Sequence, residues 1–180
     1  RTLTIDRGGN LQLNDVAAAF GLGDAANYLL EVRVEAGSAV VYASVLDGTA
    51  TAPGTSDATT ILPVEDGARP VTLLELGPIQ GYDEFSGSAS ISNLSATAAQ
   101  VSAELHRRGL PGVAATASLT IPAGDTVGAA DLVGELFGAS DVGTVVLRTS
   151  DQARITATGR EFSILRDDLG DVVGTAGQLI

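Results

Sequence analysis

Residues 118–124 read SLTIPAG, and residues 2–8 read TLTIDRG. The echo runs on. With the chain slid against itself by about 116 positions, Thr2-Leu3-Thr4-Ile5 falls on Ser118-Leu119-Thr120-Ile121, Gly8 on Gly124 and Asp15-Val16 on Asp131-Leu132. Phe20-Gly21 meets Phe137-Gly138 after a one-residue slip, and Leu29-Leu30-Glu31-Val32 lies near Val145-Val146-Leu147-Arg148. Ala39–Ala43 meets Ala153–Ala157, and Gly54-Thr55-Ser56 meets Gly174-Thr175-Ala176. An order kept over about 60 residues with only short gaps reads as an internal repeat. A period of about 115 residues is the size of a whole β-sandwich, not of a solenoid turn. Residues 1–64 are therefore read as the second half of one sandwich, and 65–180 as a complete sandwich domain.

Composition supports strands over helices. Glycine supplies 22 of the 180 residues, and Ser, Thr and Val are abundant, a mix suited to short strands and tight turns. Hydrophobic residues reach 44%, enough for a packed core, but aromatics are only 4% and Trp, Met and Cys are absent. The core must be aliphatic. The net charge is −12, and all ten basic residues are Arg. Such a chain lacks the clustered basic face that phosphate binding needs, so nucleic acid is not expected as a partner. The absence of Cys excludes disulfides and thiolate zinc sites but leaves secretion open. No apolar run approaches the ~20 residues of a membrane helix, and no signal peptide is visible. The chain opens at Arg1 without Met, as a processed or cut product would.

Each half of the repeat opens with a strand, Thr2–Ile5 and Ala117–Ile121, followed by a glycine turn. A short helix comes next: Asn14 or Asp15 can cap DVAAAFG, and Asp131 can cap DLVGELFG. Phe20 and Phe137 are its expected anchors, and the helix is expected to plug one end of the sandwich. Strands Tyr28–Val34 and Ala39–Leu46 flank the hairpin signal EAGS, and Val145–Thr149 and Ala153–Thr158 repeat the plan around SDQ. Arg33, Arg148, Arg154 and Arg160 are expected to face solvent. Between the halves, Val71–Leu76, Ser86–Asn93 and Ala99–Leu105 read as strands, with turns at LGPIQG, NLSAT and RRGLPG. The expected fold class is all-β: antiparallel sandwich repeats, each plugged by a short helix.

The middle stretch FSGSASISNLSATAAQVSAEL looks like a strand–Asn–strand opening. It is followed by LTIPAGDTVGAADLVGELFG, then GTVVLRTSDQARITATGREF, then GTAGQLI. Together these resemble β-sandwich repeat modules of large secreted bacterial proteins. In such modules an Ile-Pro-x-Gly strand end, a short helix ending near Phe-Gly and a terminal Gly-Thr-x-Gly-Gln recur. The resemblance covers 71–180, with 1–64 as a degenerate copy in which Asp6 stands in place of the Pro and Asp57 in place of the Gly-Gln ending. It implies an Ig-like, non-catalytic module, found in tandem or beside an enzyme domain, and it brings no active site.

The residues themselves offer little catalytic material. A Ser-His-Asp triad would have to use His106, the single histidine, which sits beside Arg107 and Arg108 before a Gly-Pro turn, and no G-x-S-x-G elbow is present. Asp83 and Glu84 are adjacent, so in a strand they point to opposite faces and are poorly placed as a glycosidase pair. Sugar stacking platforms are scarce, at three Tyr and four Phe. GLGDAA at 21–26 follows a helix signal rather than a strand, which argues against dinucleotide binding. Asn93-Leu94-Ser95 is a formal glycosylation sequon. Asp167, Asp168 and Asp171 form the densest acidic loop and are a calcium candidate, although the spacing matches no EF-hand. Asp47, Asp57, Asp66 and Asp141 read as surface acids in turns.

The expectation is a non-enzymatic structural or adhesive module of a secreted or surface bacterial protein. It needs no cofactor beyond a possible Ca²⁺ and acts through protein partners or self-association at strand edges. Two alternatives stand beside it: a filament or pilus subunit assembled by strand donation between neighbours, and an accessory domain of a secreted hydrolase. A half-sandwich at 1–64 would expose an apolar face that something must cover.

Overall fold

The computed structural model describes residues 1–23, 29–46, 58–61, 73–81, 84–149 and 153–179. In chain order these form helix α1 (Val16–Ala19) and strands β1 (Ala43–Leu46), β2 (Ala58–Ile61), β3 (Leu73–Gln80), β4 (Phe85–Asn93), β5 (Ala99–Arg107), β6 (Ala115–Ile121) and β7 (Thr126–Ala129). Helix α2 (Leu132–Phe137) and strands β8 (Val142–Thr149), β9 (Ile155–Arg166) and β10 (Val172–Leu179) complete the set. One four-stranded sheet has the order β3-β8-β5-β6 and the other β10-β9-β4-β7, with β1 and β2 in a ladder of their own. All the pairings are antiparallel. The protein is mostly antiparallel β, as its composition and strand spacing indicate.

Alternation builds the core. β5 sends Ala99, Val101, Ala103 and Leu105 inward and Gln100, Ser102, Glu104 and His106 outward. β4 turns Gly87, Ala89 and Ile91 inward and Ser86, Ser88 and Ser90 to the opposite face. Ile79, Ile121, Val145, Leu147 and Ile155 join the same aliphatic cluster, and among the described residues no aromatic ring is fully buried in it. Burying each such side chain contributes roughly 1.5–3 kcal/mol of transfer free energy.

The strands are interleaved. β8 lies between β3 and β5, and β9 between β10 and β4. The chain crosses from the first sheet to the second between β6 and β7, and α2 packs on β4, β6 and β7 at that crossing. Asp131 caps α2 by accepting the Gly134 N–H at 3.0 Å, while the Glu135 carboxylate accepts the N–H groups of Ala130 and Asp131. Gly138, at φ 61°, ends the helix in the left-handed conformation that glycine adopts without a Cβ penalty. The helix is anchored differently from the expectation. Leu132 and Val133 are fully buried, whereas Phe137 is only half-buried against the core and Phe20 is exposed. The first turn of α2 supplies the buried side chains, Leu132 and Val133, and the ring at its end packs half-buried against the core.

The strands read at 71–76, 86–93, 99–105, 117–121, 145–149 and 153–158 correspond to β3, β4, β5, β6, β8 and β9, with β9 running on to Arg166. β7 and β10 are additional. Residues 2–5 and 29–34 are irregular, and only the end of the expected strand 39–46 forms, as β1. Tyr28, residues 54–56, the SDQ turn at 150–152 and the first two residues of 71–76 lie outside the described residues. Arg33 and Arg148 are exposed as expected, but Arg154 and Arg160 are half-buried, and the Arg160 guanidinium lies 4.9 Å from the Phe162 ring centroid.

Candidate functional site

The outward face of the first sheet carries the one histidine. Glu104 and His106 project from the same side of β5, two residues apart, and register sets Arg148 of β8 opposite Ser102. The Glu104 Oε2 accepts from His106 Nε2 and from Arg148 Nε, each at 3.3 Å. These hydrogen bonds, from His106 first and Arg148 second, hold the Glu104 carboxyl below the usual glutamate range. Beside the cluster, Gln100, Ser102, Ser118 and Arg148 line a shallow depression. The cluster satisfies itself: Glu104 is the acceptor, its partners are the donors, and no nucleophile stands in hydrogen-bond reach of His106 among the described contacts.

The acidic loop joins β9 to β10. Asp167 is its organiser: Oδ1 accepts the N–H groups of Leu169 and Asp171, both at 2.9 Å, and the Gly170 N–H donates to the Asp167 carbonyl. Gly170, at φ 88°, makes the turn, and Arg166 donates to its carbonyl at 2.9 Å. One oxygen of the Asp167 carboxylate is therefore engaged by the loop's own N–H groups. Asp168 and Asp171 are exposed, and the described residues hold no group of three His, Asp or Glu side chains placed to share a metal ion.

Asn93 is the polar centre of the sandwich, a role that neither its place in the strand–Asn–strand opening nor its sequon indicates. It is fully buried at the end of β4. Its Nδ2 is shared among the carbonyls of Thr97, Ile121 and Pro122 at 2.7, 3.0 and 3.1 Å, and its Oδ1 accepts the Ser95 N–H at 2.9 Å. The sequon nitrogen is thus enclosed and fully used in the folded chain. Asp141 pairs with Arg107, and Glu84 lies 3.7 Å from Arg166. Asp47, Asp57, Asp66 and Asp83 lie outside the described residues, as does part of GLGDAA.

Among the described residues, four strands form the edges of the two four-stranded sheets, and they differ in what they offer. β3 carries Glu75 and Pro78, features that blunt pairing. β7 is four residues long and lies under α2. β10 has β2 beside it, and its Val173, Thr175 and Gly177 have further partners. β6 is different. Its sequence ATASLTI holds no charge and no Pro, and among the described residues it pairs with β5 alone. No protein family matches the chain, and neither a curated protein nor a solved structure matches it.

Proposed function

We propose that the chain is a non-catalytic, Ig-like β-sandwich module of a secreted or surface bacterial protein, with a structural or adhesive role exercised through protein contacts at sheet edges. The observation that carries this reading is the edge of β6: seven residues without a charge or a Pro, with one ladder neighbour among the described residues. Such an edge is a template for pairing with another chain unless it is defended. The polar clusters on the flat faces support the same reading, because each is closed by its own hydrogen bonds. Light scattering after chromatography, on the chain and on Ser118→Arg, tests it. Assembly that the edge arginine disperses is the expected result. A species that stays monomeric at high concentration and binds no partner through this edge would count against it.

A filament or pilus-like subunit is the second reading. It is favoured by the exposed Thr2–Ile5, a near copy of the β6 sequence that lies outside any sheet. Negative-stain images of fibres that Ile5→Pro abolishes would establish it; the absence of fibres would remove it.

A further inference from the structure

We propose that residues 2–5 and 29–42 are a binding surface for one class of partner: a three-stranded polypeptide segment equivalent to β3–β4–β5 of this chain. The inference takes the internal repeat as its premise and deepens the module reading by naming what the module holds.

The repeat says what covers each element, because the second copy shows its neighbours. In 115–179, β6 pairs with β5, β8 inserts between β3 and β5, and β9 pairs with β4 and β10. Helix α2 closes its own backbone hydrogen bonds, and the β9–β10 hairpin pairs within itself as well as with β4. The first copy divides along that line. The counterpart of α2 forms as α1, with the same cap: Asp15 Oδ1 accepts the Ala18 N–H at 2.9 Å. The counterpart of the β9–β10 hairpin forms as β1–β2, joined antiparallel from Ala43↔Ile61 to Leu46↔Ala58. The counterparts of β6 and β8, residues 2–5 and 29–34, are irregular. Those are the strands whose ladder partners in the second copy are β3 and β5.

The two copies also differ in exposure, and α1, which buries no residue, shares in the difference. Ile121 is fully buried, and its counterpart Ile5 is 48% exposed; Leu147 is fully buried, and Leu29, Leu30, Val32 and Val34 are exposed. Val41, the counterpart of buried Ile155, is half-buried. Leu30, Val32 and Val34 alternate along 29–34, and in the second copy the core beside β8 is closed by Leu76, Ile91, Val101 and Leu105 of β3–β5. Helix α1 and the β1–β2 ladder are in place; among the described residues, 2–5 and 29–34 lack the backbone and apolar partners that β3–β5 supply in the second copy.

The test adds a synthetic peptide spanning residues 73–107 to the full chain and follows amide hydrogen exchange. The expected result is at least tenfold slower exchange over 2–5 and 29–42, none gained over 115–166, and loss of the effect in Ile5→Asp with Val32→Asp. Those positions are exposed, so the variant keeps the sandwich of 73–179, which its unchanged thermal transition verifies. An Asn93→Ala peptide should bind more weakly. No slowing at millimolar peptide overturns the proposal, as does slowing confined to 115–166, which would mean exchange into the existing sandwich. Slow exchange over 2–42 that depends on chain concentration without peptide would assign the surface to a second copy and also overturn it. The Ser118→Arg assembly experiment is unaffected by any of these outcomes, so the edge reading stands or falls separately.

Discussion

Asn93 Nδ2 donates to the Ile121 carbonyl at 3.0 Å, fastening the end of β4 in one sheet to the end of β6 in the other. The same amide group holds Thr97 and Pro122, so one buried side chain fixes two turns and the inter-sheet crossing together. Truncation would leave a buried carbonyl and the Ser95 N–H without partners, each costing about 1–3 kcal/mol. Asn93→Ala is therefore expected to lower unfolding free energy by about 3 kcal/mol in urea titration. A change under about 1 kcal/mol would mean that water replaces the amide without loss.

The α2 plug should depend on its first turn. Leu132 is fully buried, so Leu132→Ala is expected to cost about 3 kcal/mol, within the range for core leucines. Half-buried Phe137 removes less surface from water, and Phe137→Ala should cost about 2 kcal/mol, below the range for enclosed rings. Denaturant unfolding of both variants checks the order; a larger loss at Phe137 would place the anchor at the end of the helix.

Periodicity made the sandwich legible. Strict alternation in β5, and the Asp131…Phe137-Gly138 signals around α2, carry their structure locally. Strand Thr2–Ile5 shows the limit. Its alternation equals that of Ser118–Ile121, yet one is irregular and the other is a ladder strand, because a strand exists only with a partner and the partner is not written in the strand. β7 was missed because TVGA is short and contains Gly128, and β10 because VVGTAGQL alternates weakly around Gly174 and Gly177. The Glu104–His106–Arg148 cluster was half legible: spacing places Glu104 and His106 on one face, while Arg148 arrives only through the β5–β8 register. The acidic loop was legible only in part for a related reason. Sequence shows its three carboxylates but not that the Leu169 and Asp171 N–H groups already hold Asp167.

Gly143 occupies a place where β8 and β5 approach too closely for a side chain. It pairs with Arg107 on one side and Ile79 on the other, and a Cβ built on it would collide with the His106 carbonyl. Gly143→Ala must push β5 away or rotate the His106 peptide. The expected cost is about 1–3 kcal/mol, with displaced imidazole resonances for His106, the only histidine and hence an unambiguous NMR reporter. Unchanged stability and resonances would show that the strands can separate freely there.

Glu104 should make the outer face sensitive to acid. Its carboxyl is held below the usual glutamate range by hydrogen bonds from His106 and then Arg148, so the folded state binds its proton more weakly than the unfolded chain does. A depressed folded pKa contributes stability above the unfolded pKa, and that contribution is lost as pH falls through the folded one. Glu104→Gln keeps the shape of the side chain and removes the charge. The wild-type chain is expected to be the more stable at neutral pH, and the two curves should converge as pH falls to about 3, below the ordinary carboxylate range. Because the group is on an exposed face, the gap should also shrink in about 1 M salt, where screening reaches within a few ångströms. Urea midpoints for both proteins, measured across pH at low and high salt, decide the matter: parallel curves would show that the two hydrogen bonds at 3.3 Å do not favour the ionised carboxylate.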